Sequence, residues 1–151
     1  MSLATDSIFI SAIKSNSNIM ERIGGRLYST AIPLPDDDAD NVPVPYIIVT
    51  FDGLTNGGTS KDEMYEADTD EVTISVEVTA ENRSALAQLV QSLRECIRDY
   101  MLDMHEQSED FHIEDYLFTA EAVQFDPMKP CYWQTLRYVC DVTNDYEYGS
   151  Y

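Results

Sequence analysis

The segment between Glu71 and Asp103 constrains the fold more than any other part of this chain. From Glu71 to Ala80 polar and apolar residues alternate, which predicts a β-strand with one face on a core and one in water. Asn82 then caps a helix that continues to about Asp103. Apolar residues repeat at every third or fourth position of that helix: Leu86, Leu89, Val90, Leu93, Ile97, Tyr100 and Met101. This pattern is typical of an amphipathic helix lying on a sheet.

Two short helices are expected before this segment. Thr5 or Asp6 caps the first, which reaches roughly Ser15, and Asn18 caps a one-turn helix that Gly24-Gly25 ends. Glycine ends a helix at little cost because it adopts the left-handed conformation freely. Further strands are predicted at Arg26 to Ala31, Tyr46 to Phe51, Tyr116 to Phe125 and Tyr132 to Val142. The strand from Tyr46 is expected to be covered on both faces, and the last two strands form a hairpin.

These elements predict one α+β domain over residues 1–151. Long helices do not alternate with strands, so we expect a mostly antiparallel sheet of about four to five strands. The long amphipathic helix and the short N-terminal helix pack on it. Loops are expected at Leu34 to Val44, which is acidic and bounded by prolines, at Gly53 to Lys61, and in the acidic connector from His105 to His112. The acidic, tyrosine-rich tail from Asn144 to Tyr151 is predicted to be flexible.

Acidic residues far outnumber basic ones, 28 against 9, for a formal net charge of −19. This balance argues against ordinary nucleic-acid binding, which needs basic residues facing phosphates. The acids are either solvated loop residues or parts of one surface with a functional negative field. Three clusters hold most of them: Asp36, Asp37, Asp38 and Asp40; Asp62, Glu63, Glu66, Asp68, Asp70 and Glu71; and Glu106, Glu109, Asp110, Glu114 and Asp115.

No pattern predicts a catalytic residue, a cofactor site or a metal site. His105 and His112 stand beside carboxylates, but their spacing matches no metal-binding motif. The loop that begins at Asp36 resembles the start of a calcium loop without its central glycine and closing glutamate. Gly24-Gly25 lacks the residues that surround a phosphate-binding glycine in known loops, so a helix stop is the better interpretation.

The cellular setting is predicted from what the chain lacks. Cys96, Cys131 and Cys140 have no C-x-x-C spacing, and without an export signal they are expected to be reduced thiols. The N-terminus does not have the basic and apolar regions of a signal peptide. No apolar run approaches the ~20 residues that a membrane span needs. We therefore expect synthesis in a cytosol and no membrane partner.

Aromatic residues near the C-terminus are candidate contacts with other subunits, because Tyr and Trp favour the centres of interfaces. Trp133 lies on the predicted final hairpin, and Tyr146 and Tyr148 lie on the tail. Together with acidic loop residues they form the predicted set of assembly or lumen residues: Asp36, Asp37, Asp38, Asp40, Asp62, Glu63, Trp133, Tyr146 and Tyr148.

The order of short motifs resembles the tail-terminator, or tail-completion, family of long-tailed bacteriophages and prophages. The motifs are I-x-x-x-I-G-G-R-L-Y from Ile19 to Tyr28, A-I-P from Ala31 to Pro33, P-Y-I-I-V from Pro45 to Val49, and an aromatic-Arg-aromatic strand from Trp133 to Tyr138. The resemblance spans nearly the whole chain. The long acidic loop from Leu34 to Val44 and the extreme net charge depart from what the family's role requires.

The resemblance implies a small subunit that closes into a ring, often a hexamer in that family, without catalysing a reaction. Such a ring caps the tail tube and joins it to the head connector, so the implied partners are copies of the chain and those two proteins. DNA is implied only as the passing genome, and an acidic lumen would let it slide. The implied location is the host cytoplasm during assembly and then the virion tail or neck.

Two other classes of protein remain open on the sequence. An acidic inhibitor that mimics DNA would bind a nucleic-acid enzyme as a monomer or dimer. A small enzyme using carboxylates and an ion would show stabilisation by a divalent cation that His105→Ala abolishes.

Overall fold

Three helices pack against one face of a six-stranded sheet in the computed structural model, which describes residues 2–32, 42–56, 69–107 and 111–143. The helices are α1 (Thr5–Lys14), α2 (Ser17–Arg22) and α3 (Arg83–Gln107). The strands are β1 (Leu27–Ser29), β2 (Tyr46–Thr55), β3 (Thr69–Ala80), β4 (Ile113–Ala120), β5 (Gln124–Asp126) and β6 (Cys131–Thr143). Their order is β1-β2-β3-β6-β4, with β5 paired to the start of β6.

The sheet confirms the predicted α+β class. Only β1 runs parallel to its neighbour, while the other pairs are antiparallel. The described residues form six strands, one more than the four to five that were predicted. The predicted strand from Tyr116 to Phe125 is in fact two, β4 and β5, because the chain leaves the ladder at residues 121–123. There the Glu121 N–H still donates to the Thr135 carbonyl, at 2.9 Å.

The strand predicted from alternation, β3, lies at the centre of the fold. Its residues Val72, Ile74, Val76 and Val78 are fully buried. The same core cluster takes in Phe9 and Ile13 of α1, Leu86, Leu89, Leu93 and Ile97 of α3, and Leu136 of β6. Burying one such side chain contributes about 1.5–3 kcal/mol, so the shared stripe holds both helices on this face of the sheet.

The helix ends follow local chemistry, with two corrections. Helix α2 is capped by Asn16, whose Oδ1 accepts from the Ile19 N–H at 3.0 Å, and not by Asn18 as predicted. The predicted cap of α1 at Thr5 or Asp6 is wrong: a 3-10 turn over Ser2–Ala4 precedes the helix, Ala4 occupies the cap position, and the Thr5 hydroxyl donates to the Ser2 carbonyl. The predicted stop at Gly24-Gly25 is confirmed, since both residues have positive φ and the Gly25 N–H donates to the Met20 carbonyl.

Helix α3 begins as predicted and ends later. The Ala85 N–H donates to Asn82 Oδ1 at 2.7 Å, which confirms the cap. The helix then continues past Asp103 to Gln107, because no glycine or proline interrupts it and Met101 remains in the core. His105 is therefore a helical residue and not part of a connector.

Strand β2 is longer and less covered than predicted. It continues to Thr55, so the expected turn at Gly53 is wrong. The register with β3 shifts between Phe51 and Gly53, where Asp52 is an extra residue, and the ladder then continues to Thr55. Ile47 and Val49 are buried, whereas the alternate residues Tyr46, Ile48 and Thr50 are only half-buried, so a single face of the strand is covered by helices. Most of the acidic loop 34–44 and the tail 144–151 lie outside the described residues.

Tyr138 stands at the centre of an aromatic cluster in the core. Its ring centroid is 5.0 Å from Phe9, 5.1 Å from Phe118 and 5.5 Å from Tyr116. The side chain is 1% exposed, and within the described ranges its hydroxyl has no hydrogen-bond partner. Burial raises the pKa of this phenol far above its ordinary value.

Candidate assembly surface

The sheet has a second face, on the side opposite the helices. Because side chains alternate along a strand, the residues between the buried positions point to this side. We call it the open face. It consists of Ile48, Thr50 and Asp52 of β2; Glu71, Thr73, Ser75 and Glu77 of β3; Asp115, Leu117 and Thr119 of β4; and Trp133, Thr135, Arg137, Val139 and Asp141 of β6, while Thr79 at the end of β3 is buried.

The open face is strongly acidic. Among the residues just named, the charged side chains are the guanidinium of Arg137 and the carboxylates of Asp52, Glu71, Glu77, Asp115 and Asp141. The Lys129 ammonium lies at the margin of the face, 5.9 Å from the Tyr46 ring. Arg137 already contacts Glu121, with Nη2 at 3.4 Å from Oε1. Little positive charge therefore remains to offset the carboxylates, and the face as a whole carries a negative field.

Three of these carboxylates form a row across three strands. Glu71 of β3 lies directly opposite Asp141 of β6, which in turn lies opposite Asp115 of β4. All three residues are exposed. Like charges directly opposite each other destabilise a sheet, so this acidic row works against the stability of the isolated subunit. Residues whose placement lowers the stability of the fold are typical of functional sites.

Glu77 places a further carboxylate near the middle of the face. It stands between Ile48 of β2 and Thr135 of β6 and is only partly exposed. Burial raises the pKa of Glu77, because the ionised form is partly removed from water. Nearby, the Ser75 hydroxyl donates to Asp52 Oδ2, which fixes that carboxylate on the same face.

The exposed basic residues lie mainly on the other side of the molecule. The helices carry Lys14, Arg22, Arg83, Arg94 and Arg98, all of them exposed. Arg94 covers the Phe118 ring at 4.4 Å, and Arg98 contacts Asp99 at 3.2 Å. Acids are also present on the helices, so that side is mixed in charge. Within the described residues, the helices carry five basic and six acidic side chains, whereas the residues named for the open face include one basic and five acidic side chains.

Most of the residues predicted for assembly lie outside the described ranges. They are Asp36, Asp37, Asp38, Asp40, Asp62, Glu63, Tyr146 and Tyr148. Trp133 is described: it belongs to the open face, half-buried, opposite Thr79 of β3 and Gln124 of β5. It stays a candidate contact residue, and an aromatic side chain at this position adds an apolar anchor to a polar surface.

The groups considered for chemistry are dispersed. Within the described residues, no group of three or more His, Cys, Asp or Glu side chains is placed to hold a metal ion. His105 lies on α3, and His112 precedes β4. Burial raises the pKa of Cys96, Cys131 and Cys140, the last to about 12. A raised pKa disfavours the nucleophilic thiolate. In the described part of the chain, no helix is long and apolar enough to cross a membrane.

The acidic row is the feature that sequence reasoning missed. Alternation alone places Glu71 on the polar side of its strand, and the same holds for Asp141 on the final strand. Neither pattern reveals that the two residues stand opposite each other, because strand order and register join segments that are far apart in the chain.

Comparison with known proteins supports the fold. No protein-family model matches the chain, and no curated protein matches it. The chain is similar to one from the virion of a native gene transfer agent (GTA) particle, with a TM-score of 0.54 and 11% identity over 92% of this chain and 94% of that one. Two crystal structures from Akkermansia muciniphila, one of a core domain, have TM-scores of 0.33 and 0.23. The first of these two structures is 10% identical over 96% of this chain and 79% of that one. The core domain is 12% identical over 64% of this chain and 47% of that one. The first likeness shows a shared fold, whereas the other two scores are too low for that conclusion.

Proposed function

We propose that this chain is a structural protein of a phage or prophage virion, a tail-terminator-like subunit that closes into a ring. The ring caps the tail tube and joins it to the head connector, and the subunit works by assembly and not by catalysis. One observation carries the proposal: a sheet face that no described helix covers and on which carboxylates stand in a row. The fold shared with a chain of a gene transfer agent virion supports the same class of protein.

The ring form follows from how such a subunit can use its surfaces. A closed ring uses two different, complementary patches on each subunit, one meeting the other on the neighbour. The described sheet ends in two unlike edges, the short strand β1 on one side and β4 with the exposed Leu117 on the other. A head-to-tail contact would join the β4 edge of one subunit to the β1 edge of the next, and its repetition would close a ring. The number of subunits in our proposal is six, as the family resemblance implies.

The acidic open face fits the lining of the channel. DNA carries a negative charge for roughly every 1.7 Å of its length, so a basic channel would hold the genome. A negative wall repels phosphates and lets the DNA pass without sticking. In this arrangement the helices, which carry most of the exposed cations, face outward. The subunit assembles in the host cytoplasm and then stays in the tail or neck of the virion.

Light scattering coupled to size exclusion tests the proposal. Subunits that each carry −19 repel one another, so the ring should form more readily at about 0.5 M NaCl than at about 0.05 M. We expect a mass that rises with protein concentration and salt to one defined multiple of the subunit. If the protein by itself does not form this oligomer, it should do so when the tail-tube protein is added. A monomer under all these conditions would contradict the proposal.

The same face favours one other function, that of an acidic inhibitor which mimics DNA. Exposed carboxylates on a sheet resemble phosphates to a DNA-binding protein. This alternative makes opposite predictions: binding to a nucleic-acid enzyme as a monomer or dimer, and weaker binding as salt rises. Protection of plasmid DNA from a panel of restriction endonucleases, without any ring in the scattering data, would favour the inhibitor.

A further inference from the structure

The cations on and beside the open face are already engaged. Arg137 contacts Glu121, and the Lys129 ammonium at the margin donates to the Val42 carbonyl at 2.5 Å. Within the described ranges, ion pairs join Arg137 to Glu121 and Arg98 to Asp99, and neither pair involves the acidic row. The negative charge of the row is therefore available to a partner of opposite charge.

The acidic row is spread too widely for one metal ion. Its carboxylates stand on three adjacent strands, about 5 Å apart, so that the row spans about 10 Å. A divalent cation such as Ca²⁺ holds its oxygen ligands within about 2.6 Å. Among the described residues, no group of three or more His, Cys, Asp or Glu side chains is placed to hold a metal ion. The row matches several separate positive charges instead.

An apolar pair lies next to the row. Leu117 of β4 stands opposite Val139 of β6, two residues along each strand from Asp115 and Asp141, and Leu117 is 65% exposed. Lysine and arginine lay their aliphatic stems on apolar surface while the charged head stays in water. A side chain of this kind can contact the apolar pair with its stem and the row with its head.

We propose that a lysine- and arginine-rich segment of another protein docks on the open face, with its charged heads on the acidic row and its stems on Leu117 and Val139. A second copy cannot supply such a segment, because the chain has only 9 Lys and Arg residues and no two of them are adjacent. The inference rests on the proposed function, since it names a partner for the face that would line the channel.

Binding of a fluorescein-labelled octalysine peptide to the full chain tests the inference, with anisotropy as the readout and NaCl at about 0.05 M to limit screening. One variant converts the acidic row to amides: Glu71→Gln, Asp115→Asn and Asp141→Asn. The matched control removes the same charge from exposed positions of α2 and α3: Glu21→Gln, Glu95→Gln and Glu106→Gln. Amides keep the size of the side chains, and loss of the repulsion within the row does not threaten folding.

The row variant should bind octalysine roughly tenfold more weakly than the unmodified chain, and the control variant less than about twofold more weakly. Equal weakening would overturn the inference, because the attraction would then come from net charge alone. Displacement of the peptide by spermine or MgCl₂ as effectively as by unlabelled octalysine, at equal ionic strength, would overturn it in favour of mobile counterions. Light scattering on the same samples reports ring formation separately. Peptide binding at the row without a ring at any salt would contradict only the proposed function, and a ring whose peptide binding ignores the row would contradict only this inference.

Discussion

Replacing Asp141 by lysine should stabilise the isolated subunit. Asp141 is the middle carboxylate of the acidic row and faces Glu71 on one side and Asp115 on the other. The substitution turns two repulsive cross-strand pairs into two attractive ones. Side chains in such pairs approach within about 5 Å, where the Coulomb energy of two unit charges in water is about 0.8 kcal/mol. Measured cross-strand pairs contribute about 0.2–1 kcal/mol each, so we expect a total gain of about 0.4–2 kcal/mol.

Urea unfolding followed by circular dichroism measures this gain, and one control separates it from the general effect of charge. Glu95→Lys changes the net charge by the same amount at an exposed position of α3, far from the row. Asp141→Lys should raise the free energy of unfolding more than Glu95→Lys does. For a domain of this size about 1 kcal/mol corresponds to a rise in Tm of roughly 2–4 °C. The difference should shrink at about 1 M salt, where the Debye length is about 3 Å. Equal effects of the two variants, or a loss of stability for Asp141→Lys, would refute the reasoning.

Three further predictions concern buried groups. Tyr138→Phe keeps the ring and removes a buried hydroxyl that has no described hydrogen-bond partner. In urea titrations the free energy of unfolding should therefore stay the same or rise by up to about 1–3 kcal/mol. A clear loss of stability would mean that the hydroxyl makes a hydrogen bond. Glu77→Gln should raise the Tm at pH 7, because the raised pKa of Glu77 means that its carboxylate destabilises the folded state. Scans at several pH values should show this gain vanishing as the pH falls toward the ordinary value of 4.5, and a gain that persists there would contradict the assignment. Burial raises the pKa of Cys140 from 9.0 to about 12, so the contribution of this thiol to stability should be constant below pH 9. Above pH 9 only the unfolded thiol ionises, and this contribution should fall by up to about 1.4 kcal/mol per pH unit. The decline should be shallower in Cys140→Ala, and equal slopes would show that this thiol is not responsible.

Local patterns predicted the elements whose determinants are local. The alternation from Glu71 to Ala80, the cap at Asn82 and the stop at Gly24-Gly25 each depend on neighbouring residues, and each is confirmed. The cap of α2 was misplaced because two asparagines stand two positions apart and only the backbone conformation selects between them. Asn16 has the extended φ and ψ that a cap requires.

Features that depend on distant pairing could not be predicted. The break between β4 and β5 follows from how each segment meets β6, and no breaker residue marks it. The acidic row requires β6 to insert between β3 and β4, a sheet order that sequence periodicity does not contain. The same order decides that β2 has one covered face and not two. The strand order therefore creates the candidate site. In the sequence its residues are recognisable only as polar positions of separate strands.

Electron cryomicroscopy of the assembled protein would show which surface of the subunit lines the channel. The sample is the ring isolated at raised salt, or the complex formed on the tail tube. We expect a closed ring in which Glu71, Asp115 and Asp141 face the channel and α3 faces outward. A ring whose channel is lined by the helices, or by neutral or basic side chains, would contradict this expectation.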